Sequence, residues 1–309
     1  MIFITANAHP FLEETFRKNG REVRYSPAIT YDELFADIDK ASGLVVTTRM
    51  KIDKPLLDRA KNLQWIGRLG SGLELIDTDY AKQKGIKCIS TPEGNRNAVA
   101  EHVLALLLGL MNNIYKSAAE VKEKVWKREE NRGIELSGKT VGIVGFGNAG
   151  AAFAKILAAF DVTILAYDKY KEGFGDHRVR EANFEQLCRY ADVISFHVPL
   201  TTETKHMANK GFFDALTQKP YIINACRGEV VDTQALVSAI QNQQIKGAGL
   251  DVLENEQLNN LSESQGIAFQ YLVSQPNVLI TPHIAGYSNE AYYKMSKTLL
   301  EKLGMLPPF

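Results

Sequence analysis

The sequence predicts an α/β protein of two doubly wound parallel-sheet domains, one inserted within the other. Three observations carry that prediction. Short apolar runs alternate with helical stretches over nearly the whole chain, the pattern of a parallel sheet flanked by helices. The 309 residues are enough for two domains, taking ~150 residues per domain as a prior. A second strand-and-helix series opens at Thr140 after a charged stretch and runs to a last amphipathic helix.

In the first series the strand candidates are MIFITA, GLVVTT, LQWIGRLG and IKCIST, and the helical stretches between them are PFLEETFRKNG, KPLLDRAKN and YAKQKG. A long helix is expected from Asn97 to Tyr115, apolar on nearly every side and therefore buried between larger bodies. Its start marks the expected junction. Residues 1–97 with 286–309 would form a flavodoxin-like domain, and residues 98–285 a Rossmann-like inserted domain. The stretch Ser117–Gly138 is charged around Trp126, which suits an exposed arm or subunit contact as well as a solvated helix and loop. The second series reads as six strands: TVGIVGF, VTILAYD, DVISFHV, YIINAC, IKGAGLDV and NVLITPH, with helices expected at Asn148–Phe160 and FEQLCRY. SNEAYYKMSKTLLEKL is an amphipathic helix expected to pack back on the first domain, with too few residues after it for a regulatory module.

Composition narrows the function classes. Lys plus Arg and Asp plus Glu number 36 each, so no excess charge draws the chain to nucleic acid or an anionic membrane. The longest apolar run, Val103–Met111, is about half of the ~20 residues a membrane span needs. Cys88, Cys188 and Cys226 are scattered without a CxxC pair, which reads as reduced thiols in a cytoplasmic protein. His9, His102, His177 and His206 show no metal-ligand spacing and are expected to be structural or surface residues, so no metal is expected.

Gly145-Phe146-Gly147-Asn148-Ala149-Gly150 is a GxGxxG directly after the apolar strand Val141–Val144 and at the head of a helix. Such a turn needs Gly145 for its tightness, bare backbone at Gly147 for a pyrophosphate to approach, and a small Gly150 where helix meets strand. The helix N-terminus then stabilises the diphosphate. Asp168, 18 residues beyond Gly150 after the next strand, fits the acid that accepts bonds from ribose hydroxyls. It should repel a 2′-phosphate and favour NAD over NADP, although Lys169 and Lys171 stand close enough to offset part of that repulsion.

Three ionisable residues, Arg227, Glu256 and His283, fall at or just past strand ends on the carboxyl side of the second sheet, where open α/β folds bind ligands. Reduction of a 2-keto acid by hydride transfer needs a cation for the carboxylate and carbonyl, an acid for the nascent alkoxide, and a partner that keeps that acid protonated. Arginine supplies a permanently charged planar fork. A carboxylate beside histidine favours the protonated ring and fixes its orientation.

With GRLGSGLELID at 67–77, NAVAEHVLALLLG at 97–109, LSGKTVGIVGFGNAG at 136–150, FHVPLTTET at 196–204, INACRGEVVD at 223–232, GAGLDVLENE at 247–256 and TPHIAG at 281–286, the chain resembles the D-isomer-specific 2-hydroxyacid dehydrogenases, nearest their phosphoglycerate dehydrogenase branch. The resemblance implies an NAD-dependent oxidoreductase acting on the CH-OH group of a small D-2-hydroxy acid, with a place in serine biosynthesis if the substrate is 3-phosphoglycerate. Glyoxylate or hydroxypyruvate reduction is the alternative within the class, and an NAD(H)-sensing, corepressor-like interaction protein the alternative outside it. It further implies that Arg227 binds the substrate carboxylate, that His283 is the acid and base, and that Glu256 is its partner. Substrate contacts are implied for the Ser71 and Gly72 amides and for Arg49. Cofactor contacts are implied for Asn148, Ala149, Asp168, His197, Val198, Pro199, Thr204, Ala225, Cys226, Asp251 and Gly286. A homodimer is expected from the apolar helix and the Trp126 arm. The chain departs from the family pattern at Glu74-Leu75, where many relatives carry Asp-Asn, and at Gln257, where a proline often follows the glutamate.

Overall fold

The computed structural model describes residues 1–307. They form two compact units, Met1–Arg96 joined by the segment from Gly286 onward, and Asn97–Ala285.

The first unit runs β1 (Ile2–Ile4), α1 (Pro10–Lys18), β2 (Val23–Tyr25), α2 (Tyr31–Asp37), β3 (Gly43–Val46), α3 (Lys54–Arg59), β4 (Trp65–Arg68), α4 (Thr78–Gln83) and β5 (Lys87–Ser90). Its five parallel strands lie in the order β2-β1-β3-β4-β5, the flavodoxin-like order. Side chains alternate across the sheet as a two-residue period demands. Ile2 and Ile4 enter one core cluster with Leu12 and Phe16, while Phe3 enters the opposite one with Leu34, Leu44 and Ile66. Strand β2 and helix α2 were not legible in the sequence. VRY is three residues long, and α2 is set by a Thr30–Glu33 capping box rather than by apolar periodicity.

Helix α5 (Pro92–Met111) starts five residues earlier than the sequence suggests, on a proline suited to a first turn, and the unit boundary falls inside it. It ends at Met111 because Asn113 adopts φ 51°, and α6 (Ile114–Lys122) leaves at 64°. Among the described residues no single helix is long and apolar enough to cross a membrane.

The second unit continues with β6 (Thr140–Val144), α7 (Asn148–Leu157), β7 (Thr163–Tyr167), β8 (Val179–Glu181), α8 (Phe184–Tyr190), β9 (Val193–Phe196), α9 (Lys210–Asp214), β10 (Tyr221–Asn224), α10 (Thr233–Gln241), β11 (Gly247–Leu250), α11 (Glu263–Ser274) and β12 (Val278–Ile280). The order β12-β11-β10-β9-β6-β7-β8 is the dinucleotide-binding order with one strand added, all parallel. The sheet therefore has seven strands rather than six; the unread one is β8, whose VRE is buried only at Val179. Alternate residues again feed two clusters: Val141, Ile143, Val193 and Ile223 face one side, Val144, Ile194, Phe196 and Ile222 the other. Helix α11 fills the stretch after Gln257. The last helix, α12 (Asn289–Lys302), belongs to the first unit, where Leu299 and Leu300 are fully buried with Ile2 and Ile4.

Candidate active site

The glycine turn lies between β6 and α7, at the point where the sheet order reverses. Gly145 has φ +93°, and a Cβ there would lie 2.6 Å from the His197 carbonyl oxygen. A Cβ on Gly150 would lie 2.1 Å from the Gly145 carbonyl oxygen, whereas one on Gly147 would meet nothing within 4 Å. Gly147 caps α7 without a side-chain hydrogen bond, so the first-turn amides at Asn148 and Ala149 are left to a ligand or solvent. These features fit a diphosphate: bare backbone on the open side, and close packing where helix meets strand. Asp168 follows β7 and is oriented by the turn itself, its Oδ2 accepting from the Phe146 amide at 2.8 Å and its Oδ1 from the Tyr170 amide at 3.0 Å. Each oxygen keeps lone-pair capacity for a ribose hydroxyl.

The loop after β9 faces the same turn. The His197 amide donates to Val144 at 2.7 Å, and the Thr204 hydroxyl donates to the Pro199 carbonyl at 2.6 Å while accepting from the Thr201 amide at 2.8 Å. Val198 and Pro199 sit within that closed loop. The His197 ring lies 2.9 Å from the Ser195 hydroxyl and against Phe153, and burial lowers its pKa from 6.5 to about 4. The unfolded chain thus binds a proton that the folded ring refuses. This contribution to stability is complete above pH 6.5 and is lost as the pH falls towards 4. Urea unfolding at pH 7 and pH 5 should show the loss, and His197→Gln should show less of it; an equal loss in the variant would refute the assignment.

Arg227, Glu256 and His283 lie beyond the carboxyl ends of β10, β11 and β12. Glu256 and His283 meet: His283 Nδ1 is 2.9 Å from Oε1 and 3.0 Å from Oε2 of Glu256, with both side chains open to solvent. A carboxylate on Nδ1 leaves Nε2 as the ring edge for proton transfer. Arg227 is half-buried, and its Nη1 donates to the Cys226 carbonyl at 2.6 Å. The loop that carries it presses on the loop that carries Glu256, because a Cβ on Gly228 would fall 2.0 Å from the Leu253 carbonyl carbon and 2.5 Å from the Glu254 amide nitrogen. Ala225 packs at the edge of the core, and Cys226 is buried with its thiol donating to Asn224 Oδ1 at 3.1 Å. Burial pushes that thiol up, away from the reactive thiolate.

Asp251 holds the His283 loop. Its side chain is fully buried; Oδ1 accepts from the Thr281 hydroxyl at 2.6 Å and the Ile284 amide at 2.9 Å, Oδ2 from the Ala285 amide at 2.7 Å, and its carbonyl from the His283 amide at 2.7 Å. Burial works against its charge, but hydrogen bonds from His102, Thr281, Ala285 and Ile284 outweigh it and keep the carboxyl below its usual range. His102 Nε2 is 2.9 Å from the Thr281 hydroxyl and 3.4 Å from Asp251. Sequence reasoning took His102 for a structural or surface residue, and its contact with Thr281 and Asp251, far along the chain, left no local signal. The clamp holds His283 at φ +56°, a left-handed conformation rare for a residue with a Cβ. Among the described residues no cluster of His, Cys, Asp or Glu could hold a metal.

Arg49, Ser71, Gly72 and Gly286 belong to the first unit. Arg49 donates to the Thr5 and Ile29 carbonyls at 3.2 and 3.1 Å. Ser71 and Gly72 follow β4 in a loop anchored by the Gly70 amide on Thr91 Oγ1 at 2.8 Å. A Cβ on Gly286 would lie 2.7 Å from Asn95 Nδ2.

The second unit is thus a dinucleotide-binding domain by its strand order, its glycine turn and its acid after the second strand. Residues 104–285 match the family model for the D-isomer specific 2-hydroxyacid dehydrogenase NAD binding domain. A D-3-phosphoglycerate dehydrogenase of Archaeoglobus fulgidus is 36% identical over 301 residues, 96% of this chain and 56% of the relative. A hydroxypyruvate reductase of Thermotoga maritima is 36% identical over 272 residues, 88% of this chain and 87% of the relative. The crystal structure of D-lactate dehydrogenase from Aquifex aeolicus, complexed with NAD and lactic acid, superposes with a TM-score of 0.85 at 28% identity, covering 98% of this chain and 94% of that one. The chain belongs to the D-isomer specific 2-hydroxyacid dehydrogenase family. It spans little more than half the length of the phosphoglycerate dehydrogenases of Archaeoglobus fulgidus and Methanocaldococcus jannaschii.

Proposed function

We propose that the protein is an NAD-dependent dehydrogenase interconverting a small D-2-hydroxy acid and its 2-keto acid, with D-3-phosphoglycerate the leading substrate. The observation that carries this reading is the Glu256–His283 pair, held at the carboxyl edge of a dinucleotide-binding sheet by the Asp251 clamp. A bound nicotinamide would supply the hydride to C2 of the keto acid, or accept it in the oxidative direction. His283 delivers a proton from Nε2 to the nascent alkoxide and takes it back in the oxidative direction, while Glu256 on Nδ1 fixes the plane of the ring. Arg227 binds the carboxylate and polarises the keto oxygen. Arg49 and the Ser71 and Gly72 amides complete the proposed substrate contacts. Asn148 and Ala149 take the diphosphate, Asp168 the ribose, and the loops at 197–204 and 225–226, with Asp251 and Gly286, the rest of the dinucleotide.

The names of the two relatives above support 3-phosphoglycerate first and hydroxypyruvate second. Loss of NADH absorbance against 3-phosphohydroxypyruvate, hydroxypyruvate, glyoxylate, pyruvate and 2-ketoglutarate tests the proposal and ranks the substrates. Inert keto acids with tight NADH binding would replace it by an NADH-sensing interaction protein. The proposal includes a cytoplasmic setting, in keeping with three unpaired cysteines. It also includes a homodimer, supported by exposed Ile114, Tyr115, Val121, Val125 and Trp126, the last 79% exposed, all between residues 114 and 126. A monomer mass in sedimentation equilibrium at micromolar concentration would remove the dimer.

A further inference from the structure

Strand β6 lies between β9 and β7, so the loops that follow β9 and β7 flank the glycine turn from opposite sides. Glu203, on the β9 loop, reaches across to the β7 loop. Its Oε1 accepts from Lys169 Nζ at 2.6 Å, and its Oε2 accepts from the Tyr170 hydroxyl. These bonds, that to Lys169 first, hold the Glu203 carboxyl below its ordinary range, and the same contacts raise Lys169 and Tyr170. Lys171, the other cation beside Asp168, donates to the Phe146 carbonyl at 2.9 Å. Asp168 itself is fixed by the Phe146 and Tyr170 amides.

NADP differs from NAD by a phosphate on the ribose 2′-oxygen, the position an acid at the end of the second strand addresses. A chain that carries Lys169 and Lys171 next to that acid has the cations to accept the phosphate. Here both are committed: Lys169 to a carboxylate on the opposite loop, Lys171 to a backbone carbonyl. The geometry points to Glu203 as a specificity-determining residue that withholds Lys169 from the 2′-phosphate and so keeps the cofactor site selective for NAD. Glu203 adds a second negative charge on the far side of the same crevice and, through Tyr170, ties down the residue whose amide orients Asp168.

The test is direct binding of NADH and NADPH to the full chain, followed by nucleotide fluorescence, in the wild type, Glu203→Ala, Glu203→Gln and Glu203→Ala/Lys169→Ala. The wild type should bind NADH more tightly. In Glu203→Ala the ratio of NADPH to NADH dissociation constants should fall about fivefold, the scale of one charge interaction in a water-exposed setting, and Glu203→Gln should move the same way. Removing Lys169 as well should restore the wild-type ratio, since the gain depends on the freed ammonium. A ratio within twofold of wild type in the single variants overturns the proposal, as does a gain that survives loss of Lys169. Should Glu203→Ala fail to fold, Glu203→Gln with its own Lys169→Ala double decides the matter. The readout needs no substrate, so a chain inert towards every keto acid would still answer it.

Discussion

His283→Asn should lower kcat by about a thousandfold, within the range that a positioned acid or base contributes, while changing NADH affinity little. Asparagine is the informative replacement because it tolerates the left-handed backbone at φ +56°. The variant therefore removes the imidazole and its pairing with Glu256 without straining the Asp251 clamp. Pre-steady-state and steady-state rates with the best keto acid, beside NADH titration, would separate the two quantities. Retention of a tenth or more of the wild-type rate would move the proton transfer to another group. Glu256→Gln should act on the same step more mildly, lowering kcat with little change in NADH affinity, because the carboxylate that orients the ring through Nδ1 is replaced by a neutral amide.

Gly150→Val should strongly damage the cofactor domain. Its Cβ would stand 2.1 Å from the Gly145 carbonyl oxygen, a backbone atom that yields only if the turn opens or the start of α7 shifts. Such an overlap is expected to cost about 3 kcal/mol of stability and to weaken NADH binding on the order of a hundredfold as the diphosphate cradle deforms. Gly147→Ala separates the two effects. Nothing in the protein lies within 4 Å of a Cβ there, so the melting temperature should hold while the methyl group obstructs the approaching diphosphate. Wild-type NADH affinity in Gly147→Ala would mean that the diphosphate does not pass over this residue.

The parts of the fold legible in the sequence were those whose signals are local. The GxGxxG turn could be read because each glycine answers a steric demand at a fixed spacing, and the structure shows those demands at Gly145 and Gly150. Strands β6, β9 and β10 could be read because burial on both faces makes them continuous apolar runs. Edge strands β2 and β8 escaped because three residues, with only Val23 or Val179 buried, leave no pattern. The end of the long helix was misjudged because Ile114 and Tyr115 resume the apolar run after Asn112-Asn113, where the backbone of Asn113 breaks the helix. In the site, Arg227, Glu256 and His283 could be chosen by chemistry and position. The Asp251 clamp and the Glu203 bridge could not, since both depend on partners 30 or more residues away in sequence.

The contact beneath Gly228 bears on how this site can be altered by exchange of segments. With the peptide at Leu253 and Glu254 seated where a Gly228 side chain would be, the stretches around Arg227 and Glu256 form a single mated surface. Transplanting either one from a relative whose backbone follows another path would force the two apart and displace cation and carboxylate together. A chimera that keeps its function must inherit residues 225–230 and 251–256 as one block.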